Sequence, residues 1–293
     1  MEKRRKKLHT EDVVYHAITV PIFILFALIC AYPFYYLLIG SLSTGKFIDL
    51  GQVVFLPKGF TLANYVKVLN YKNIGRATMI SVTRVITGTS LSILVSAYAG
   101  YFFSKTKMWG RRFFYRMTAI TMYFTAGMIP IYLNYRSLGL LNNFLVYIVP
   151  GALNVYNMIL IKTNIEAIPA ELEESAMIDG AGYFTRFFRI VLPLIKPILA
   201  TTALFAAVGH WNDFFCSRMY ITKSKLFTLQ YLLYELLQQI KALLEQEGGA
   251  SQALSFTGLR MALTVVTVVP IMCVYPFIQR YYVKGVMIGA VKG

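Results

Sequence analysis

Charged residues are scarce in this sequence. Aspartate, glutamate, lysine and arginine together make up 14% of its 293 residues, whereas soluble globular proteins carry about 25%. Hydrophobic residues make up 57% of the chain, and the mean hydropathy is positive. This composition argues against a soluble domain and favours a membrane protein.

Residues that commonly carry catalysis or bind metals are also few. The sequence has three histidines, none of which has the spacing of a metal-ligand pair. Its three cysteines, Cys30, Cys216 and Cys273, lie inside or at the end of hydrophobic stretches. We interpret them as small apolar packing residues and expect no disulfide. No pair of acidic residues lies within a hydrophobic stretch, which argues against a membrane-embedded enzyme.

A working phosphate-binding loop is missing as well. The segment from Gly40 to Phe47 follows the pattern G-x-x-x-x-G-K-[ST] except at its last position, where Phe47 replaces the hydroxyl that binds magnesium. The segment also follows a hydrophobic stretch, whereas a phosphate-binding loop follows a strand. We therefore expect no cofactor in this chain. If ATP drives the protein, ATP and magnesium bind to another chain.

Long uncharged stretches are abundant. About 20 apolar residues cross a bilayer as a helix, and the pattern predicts an all-α integral membrane protein with six transmembrane helices in one domain, 17–280. The first hydrophobic stretch is too long for a signal peptide and no small-residue cleavage site follows it, so we expect it to remain as a helix. The predicted spans lie near 17–40, 77–104, 116–135, 143–164, 194–216 and 259–280.

The basic residues predict an orientation. The net charge is +16, and the run from Lys3 to Lys7 is typical either of a nucleic-acid patch or of the cytoplasmic side of a membrane protein. We favour the second interpretation, because the other basic clusters fall on the same side if there are six spans. The segment 1–16 and the tail 281–293 are then both cytoplasmic. The other clustered residues are Lys105, Lys107, Arg111, Arg112, Arg116, Arg186, Arg189, Lys196, Arg280, Lys284 and Lys292.

Two predicted outer loops, 41–76 and 217–257, contain helical patterns. In the first, Thr61 is suited to cap a short helix on the membrane surface. In the second, leucines recur at helical spacing over 226–246, which predicts an amphipathic helix that ends at Gly248-Gly249. This helix either docks an external partner or packs on its own membrane domain or in the interface.

The predicted cytoplasmic loop 165–193 has a distinctive local pattern. Pro169 suits the first position of a helix, and three glutamates follow in its first turns, where the helix dipole favours anions. Gly180 suits a left-handed helix end, and an aromatic-rich second helix leads to Pro193. Two short helices joined at a sharp angle form a rigid protrusion suited to mechanical contact with a partner. The glutamates are Glu171, Glu173 and Glu174.

This loop resembles the coupling loop of ABC importer permease subunits, which carries E-A-A-x-x-x-G-x(9)-I-x-L-P before the penultimate span. The chain has Glu174-Ser175-Ala176, Gly180, Ile190, Leu192 and Pro193 at the same spacing, with Ser175 in place of the first alanine. Trp211-Asn212-Asp213-Phe214 is similar to the family's W-N-[DE]-F. The last residues, 275–293, resemble the second permease subunit of oligosaccharide importers, the maltose G-type, and a subgroup that includes alginate importers.

The resemblance implies a type I ABC importer permease fold that works by alternating access in the bacterial cytoplasmic (inner) membrane. It implies a heterodimer with a second permease subunit, two ATPase subunits, an external solute-binding protein, membrane lipid and an oligosaccharide solute, and no nucleic acid. Glu174 would meet polar groups of the ATPase, and the small Ser175 and Ala176 would allow close approach. The implied ATPase-coupling residues are Glu173, Glu174, Ser175, Ala176, Asp179 and Gly180.

Polar residues inside predicted spans are candidates for the solute path, because they are expensive in lipid and usually face a cavity or a partner. Arg84 would suit a hydroxyl-rich or acidic sugar as a hydrogen-bond donor. Alternatively, Arg84 pairs with an acidic group or with carbonyls of the partner subunit, and Asp213 pairs with Arg218. The candidates are Arg84, Asn154, Asn157, His210, Trp211, Asn212 and Asp213.

Other transport functions remain as alternatives. An ABC importer for a non-sugar solute is the nearest, since only the C-terminal resemblance argues for sugar. A secondary transporter would predict intramembrane carboxylates or inverted repeats, and we find neither pattern in the sequence.

Overall fold

The computed structural model describes residues 10–71, 73–245 and 256–290, and within these ranges every regular element is a helix. Short 3-10 turns cover Phe144–Tyr147 and Ser224–Leu226, and a π-helical turn covers Phe187–Val191. The α-helices are α1 Thr10–Ser41, α2 Gly45–Asp49, α3 Ala63–Leu69, α4 Ile74–Ser104, α5 Arg111–Ile120, α6 Met128–Ser137, α7 Val155–Glu166, α8 Glu171–Ile178, α9 Tyr183–Arg186, α10 Leu192–Leu194, α11 Lys196–Asn212, α12 Phe215–Tyr220, α13 Leu229–Leu244 and α14 Thr257–Ala290.

The first two predicted spans correspond to single long helices. Among the described residues, Tyr15–Ser41 and Ile74–Ser104 are long and apolar enough to cross a membrane. A third crossing forms if Tyr183–Leu194 and Lys196–Asn212, which meet at an angle of 83°, make one broken span. The predicted last span falls within α14, whose segment Thr257–Cys273 is apolar but shorter.

The third and fourth predicted spans are each divided. α5 and α6 have ten residues each, roughly 15 Å of helix, and they are separated by 121–127, which ends at Gly127 with φ +83°. The fourth is a 3-10 turn followed, after Pro150-Gly151, by the twelve residues of α7. Such short helices do not cross about 30 Å of hydrocarbon alone. The six-span count therefore stays a prediction.

Several sequence predictions fall outside the described residues. These are the basic run Lys3 to Lys7, the predicted stop at Gly248-Gly249 and the last residues of the tail, 291–293. The boundaries of the membrane domain, of its loops and of its cytoplasmic ends also remain predictions.

The chain divides into two compact units, and the smaller comprises the chain up to Asn70 together with residues 239–266. Its core packs Ile39, Ile48, Val53 and Met261 together. Asn64 on α3 ties down the segment after α1, because its side-chain amide donates to the carbonyls of Ser41 and Ser43 at 3.0 and 2.9 Å. The predicted short helix is present as α3, but the prediction of Thr61 as its cap was wrong: the cap position is Leu62, and the hydroxyl of Thr61 accepts the backbone N–H of Ala63 at 3.1 Å.

The larger unit comprises residues 71–238 and the chain from Thr267, and α4 is its central helix, packed against α7 and α11. Gly100 allows the backbones of α4 and α7 to approach closely. A Cβ atom there would lie 3.1 Å from the carbonyl oxygen of Met158 and 3.2 Å from the backbone nitrogen of Lys162. One core cluster at this end of α4 contains Ala97, Tyr101, Ile161, Ile165, Phe187, Val191 and Ile195.

The predicted amphipathic helix in the second outer loop is confirmed as α13. Its apolar stripe is buried, and its start is fixed where the backbone N–H of Leu229 donates to the hydroxyl of Ser81 at 2.8 Å. Lys241 on the opposite face is exposed. The buried face favours packing within this chain over docking of an external partner through the leucines. The buried residues are Leu229, Leu232, Leu233, Leu236 and Ile240.

Candidate functional site

A cavity of about 710 Å³ lies in the larger unit. Its walls come from α4, α6, α7, α11 and α12 and from the segment before α7. Five of the seven predicted solute-path residues line it, and so do four tyrosines. The five predicted residues are Arg84, Asn154, Asn157, His210 and Asp213, and the tyrosines are Tyr135, Tyr147, Tyr156 and Tyr220.

Arg84 is bonded to Asp213 of the same chain. The Arg84 side chain is 3% exposed, and its Nη2 binds the carboxylate of Asp213 while Nη1 donates to the Asp213 carbonyl at 2.9 Å. Its guanidinium also lies 4.5 Å from the ring centroid of Tyr147. Asp213 thus pairs with Arg84 and not with Arg218, whose guanidinium lies 5.0 Å from the ring of Tyr234.

This ion pair sits where the predicted fifth span is interrupted. α11 ends at Asn212, and Asp213 is extended with ψ 100° before α12 begins. A break of this kind leaves backbone groups without helical partners, and burying such groups unbonded is unfavourable. Arg84 satisfies the freed carbonyl of Asp213, and Oδ1 of Asp213 accepts the backbone N–H of Cys216 at 3.0 Å. The pair therefore neutralises its own charge and stabilises the helix break.

Asn154 and Asn157 belong to the start of α7. Asn154 caps the helix, because its Oδ1 accepts the backbone N–H of Asn157 at 2.9 Å. The hydroxyl of Ser96 accepts the backbone N–H of Asn154 at 3.3 Å, which ties this cap to α4. Asn157 itself is 2% exposed. Both asparagines are thus held by local structure at the cavity wall.

His210 reaches the cavity because α4 has a glycine opposite it. A Cβ atom on Gly88 would lie 2.6 Å from Nε2 of His210, so any larger residue at this position would displace the imidazole.

Trp211 and Asn212 do not join the cavity. Trp211 lines a separate, largely apolar hollow of about 320 Å³, and its Nε1 donates to the carbonyl of Thr267 at 2.9 Å. Asn212 is exposed at the end of α11. The W-N-D-F motif therefore contributes only Asp213 to the lining.

The four tyrosines of the cavity wall were missed by sequence reasoning. The chain has 21 tyrosines, and no spacing distinguishes those that line the cavity from those of interfacial belts. Tyr147 is held in place because its hydroxyl lies 2.7 Å from the hydroxyl of Ser217 and donates to the carbonyl of Leu226 at 2.8 Å.

The described cavity lining carries no net charge. Arg84 and Asp213 are its only Asp, Glu, Lys or Arg residues, and they neutralise one another. The remaining polar groups are hydroxyls, amides and an imidazole, interleaved with aromatic rings. Such a wall can hydrogen-bond the hydroxyls of a solute and can pack against its apolar faces.

The two short helices predicted for the loop 165–193 are present, and the side of the membrane on which they lie stays a prediction. α8 begins at Glu171, two residues after Pro169, and carries its three glutamates in the first turn. Gly180 ends it with φ +79°, a conformation that other residues adopt only at an energetic penalty. The backbone N–H of Ala181 donates to the carbonyl of Ala176 at 2.9 Å, which is the bond expected of a glycine-terminated helix.

The two neighbouring glutamates of this helix have different surroundings. The side chain of Glu173 is 12% exposed and binds Nζ of Lys105, and its Oε2 accepts the hydroxyl of Tyr101 at 3.2 Å. Nη1 of Arg186 lies 3.9 Å from the same oxygen. Glu174 is exposed. Of the other predicted coupling residues, Ser175, Asp179 and Gly180 are exposed and Ala176 is half-buried.

Comparison with known proteins identifies the family of the chain. Residues 92–288 match the family described as binding-protein-dependent transport system inner membrane component. The chain is 38% identical to Protein LplC of Bacillus subtilis, over 89% of each chain. It is 35% identical to the polygalacturonan/rhamnogalacturonan transport system permease protein YtcP of Bacillus subtilis, over 92% of this chain and 95% of that protein.

A solved structure extends the likeness to three dimensions. One chain of a bacterial ABC transporter involved in the import of the acidic polysaccharide alginate superposes with a TM-score of 0.84 at 32% identity, covering 94% of this chain and 98% of that chain. This structure shows the ABC permease fold for the chain, and the family match covers more than half of its length. The chain therefore belongs to the binding-protein-dependent transport system inner membrane components.

Proposed function

We propose that this chain is one of two membrane-spanning subunits of an ATP-driven importer that receives an oligosaccharide from an external binding protein. The observation that carries the proposal is that a single continuous helix, α4, lines the cavity with Arg84 and contacts the largely exposed helix α8 at its last turn, through Tyr101 and Glu173. A hydroxyl- and aromatic-lined cavity suits a sugar. An exposed, rigid helix at the other end suits contact with a motor subunit.

The division of labour follows from the residues present. This chain lines the path, and two partner ATPase subunits bind ATP and magnesium. The exposed side of α8, with Glu174 and Ser175, enters the ATPase surface and receives its closure, and Gly180 keeps the turn after α8 tight. The cavity then alternates between outward and inward access. A second, similar permease subunit completes the wall.

The solute is an oligosaccharide, and uronate chains are the first class to test. One similar protein is named for the transport of polygalacturonan/rhamnogalacturonan, and the similar solved structure is of a transporter involved in the import of alginate. In this chain Arg84 is already bonded to Asp213, so its wall recognises hydroxyl groups while carboxylates of an acidic sugar find their counter-charge on the second subunit or on the binding protein.

The test is a gentle detergent purification of the tagged chain from its own cells, followed by mass spectrometry. We expect an ATPase, a second multi-span subunit and a solute-binding protein to co-purify. Oligogalacturonate and a neutral oligosaccharide of equal length would then be compared as ligands of the captured binding protein. Recovery of the chain alone, with solute transport in liposomes that lack ATP, would contradict the proposal.

The proposed six spans have their own test. We place both termini and the exposed Trp109 in the cytoplasm, and the exposed Lys58 and Ser224 outside. Single cysteines at these three positions, in a chain whose native cysteines are replaced, would be labelled in intact cells by a membrane-impermeant maleimide. Labelling at 58 and 224 but not at 109 supports the topology. Labelling at 109 without permeabilisation contradicts it.

A further inference from the structure

Glu173 joins three segments of the larger unit. Tyr101 belongs to the last turn of α4, Lys105 follows that helix directly, and Arg186 ends α9. All three contact the carboxylate of Glu173, which itself belongs to α8. Tyr101 and Arg186 are 1% and 7% exposed. The contacts are therefore held within packed structure.

The surroundings of this carboxylate are electrostatically strong. Lys105 and Arg186 contribute two positive charges around one negative charge, and Nζ of Lys105 also lies 4.5 Å from the ring centroid of Tyr101. Hydrogen bonds to charged groups are stronger than neutral ones. Removing the carboxylate would leave two cations next to each other and the hydroxyl of Tyr101 without this acceptor.

Glu173 and Glu174 cannot share one role. Successive residues of an α-helix point about 100° apart around its axis, so the helix that directs Glu173 toward Tyr101 necessarily directs Glu174 elsewhere. The observed exposures agree, with Glu173 largely buried and Glu174 exposed.

We propose that Glu173 is a positioning residue, which fixes α8 to α4 and α9 and thereby sets the orientation of the face that Glu174 presents to the ATPase. This inference rests on the proposed function, and it removes Glu173 from the residues that touch the ATPase.

The contacts of Glu173 are also connected to the cavity, through α4. Tyr101 and Arg84 lie on the same helix, roughly 25 Å apart along its axis, and α4 has no proline within it. A displacement of α8 that is carried by Glu173 therefore moves a continuous helix whose other half carries Arg84. Coupling between α8 and the cavity is tested by measuring the effect of a variant at both places.

Hydrogen exchange of the full chain in detergent tests the anchor without ATP or partners. Glu173→Gln is expected to speed amide exchange within 171–178 on the order of tenfold, because charged hydrogen bonds are lost. Glu171→Gln is the matched control, since it removes the same charge from an exposed position of the same helix, and it should exchange as the native chain does. Equal exchange in the two variants overturns the proposal.

The partners of Glu173 provide a second variant series, which carries the test if Glu173→Gln does not fold. Lys105→Met should reproduce the faster exchange, and Lys105→Arg should restore the native rate because it retains the positive charge. In a double-mutant cycle, the variant that combines Glu173→Gln with Lys105→Met should show amide exchange at most about twofold faster than either single variant. Fully additive effects would contradict a shared contact.

The complex with its ATPase tests the role in coupling. In Glu173→Gln we expect the ATPase to remain bound and the amount of solute moved per ATP to fall several-fold, whereas Lys241→Gln, which removes an exposed charge from α13 and not from α8, leaves this ratio unchanged. A native ratio in Glu173→Gln overturns the positioning role. If no ATPase is recovered with the native chain, the proposed function fails, while the exchange experiment still decides whether Glu173 anchors α8.

Discussion

Two positions along α4 use charge in different ways. Near its middle, Arg84 meets one carboxylate and the carbonyl of the same residue, so the charges cancel within a single pair at the cavity wall. At its last turn, one carboxylate is shared by Tyr101, Lys105 and Arg186, which come from different segments. The first arrangement stabilises a break within the fold, and the second ties a protruding helix to the packed helices behind it.

This difference fits the roles proposed for the cavity and for the loop of α8. A charge that lined the cavity without a partner would attract counter-ions and distort the selection of a solute, and Arg84 avoids this by its bond to Asp213. In the proposed function, the loop of α8 needs a fixed orientation with a free outer face. A buried carboxylate with partners on two sides provides the orientation and leaves Glu174 and Asp179 exposed.

The largest expected effect is at the cavity. Arg84→Met leaves the carboxylate of Asp213 without its partner, and breaking a buried pair in this way costs about 3–5 kcal/mol. The free energy of unfolding, measured by circular dichroism in detergent, should fall by about that amount. Arg76→Met is the matched control, because Arg76 lies on the same helix and is exposed.

A second change at the same pair separates charge from packing. Arg84→Met combined with Asp213→Asn removes both charges, so the double variant should recover part of the lost stability. If Arg84→Met alone were as stable as Arg76→Met, the description of the Arg84–Asp213 pair as a buried ion pair would be contradicted.

The next effect is near the C-terminal end of α4. Gly100→Ala places a methyl group against the backbone of Met158 and Lys162, and backbone atoms cannot yield as a flexible side chain can. We expect a loss of about 1–3 kcal/mol from overpacking. Gly75→Ala, where a Cβ meets nothing within 4 Å, is the control in the same helix. Equal thermal midpoints for the two variants would show that α4 and α7 are not closely packed.

A smaller effect is expected at the turn after α8. Gly180→Ala has open space for its methyl group but must adopt φ +79°, which costs roughly 1–2 kcal/mol. Faster amide exchange at the end of α8 measures this. Gly182→Ala is the control, because its φ is −67° and its Cβ also meets nothing within 4 Å. Unchanged exchange in Gly180→Ala would contradict the left-handed turn.

The smallest effect is expected for an exposed ion pair on α13. Lys241 and Glu245 are 71% and 68% exposed, with 4.0 Å between Nζ and Oε1. Exposed pairs of this kind contribute about 0.5 kcal/mol or less, so Lys241→Gln should leave the thermal midpoint unchanged. A loss comparable to that of Arg84→Met would mean that exposure is a poor guide to the energetics of charge in this chain.

Sequence patterns predicted the features that depend on neighbours along the chain. Long apolar runs predicted α1 and α4, the leucine spacing predicted α13, and Gly180 with its preceding glutamates predicted the end of α8. The motif spacing also identified the family, which is confirmed.

Features that depend on distant contacts were not accessible in the same way. Arg84 and Asp213 are 129 residues apart in the sequence, and nothing local links them more strongly than Asp213 with Arg218. The inward side chain of Glu173 is set by Tyr101 and Lys105, which belong to another segment. The breaks in the third and fourth predicted spans were hidden because apolar composition continues through 121–127 and across Pro150-Gly151.

The different placement of the two tryptophans gives the chain an intrinsic optical probe. Trp109 is 86% exposed before α5, whereas Trp211 lies against an apolar hollow with its Nε1 bonded to the carbonyl of Thr267. Because the sequence has only these two tryptophans, Trp109→Phe leaves Trp211 as the single tryptophan, on α11 and two residues before Asp213, where that helix is interrupted. The wavelength of its emission maximum would then report the polarity around α11 during each transport cycle, without any attached dye.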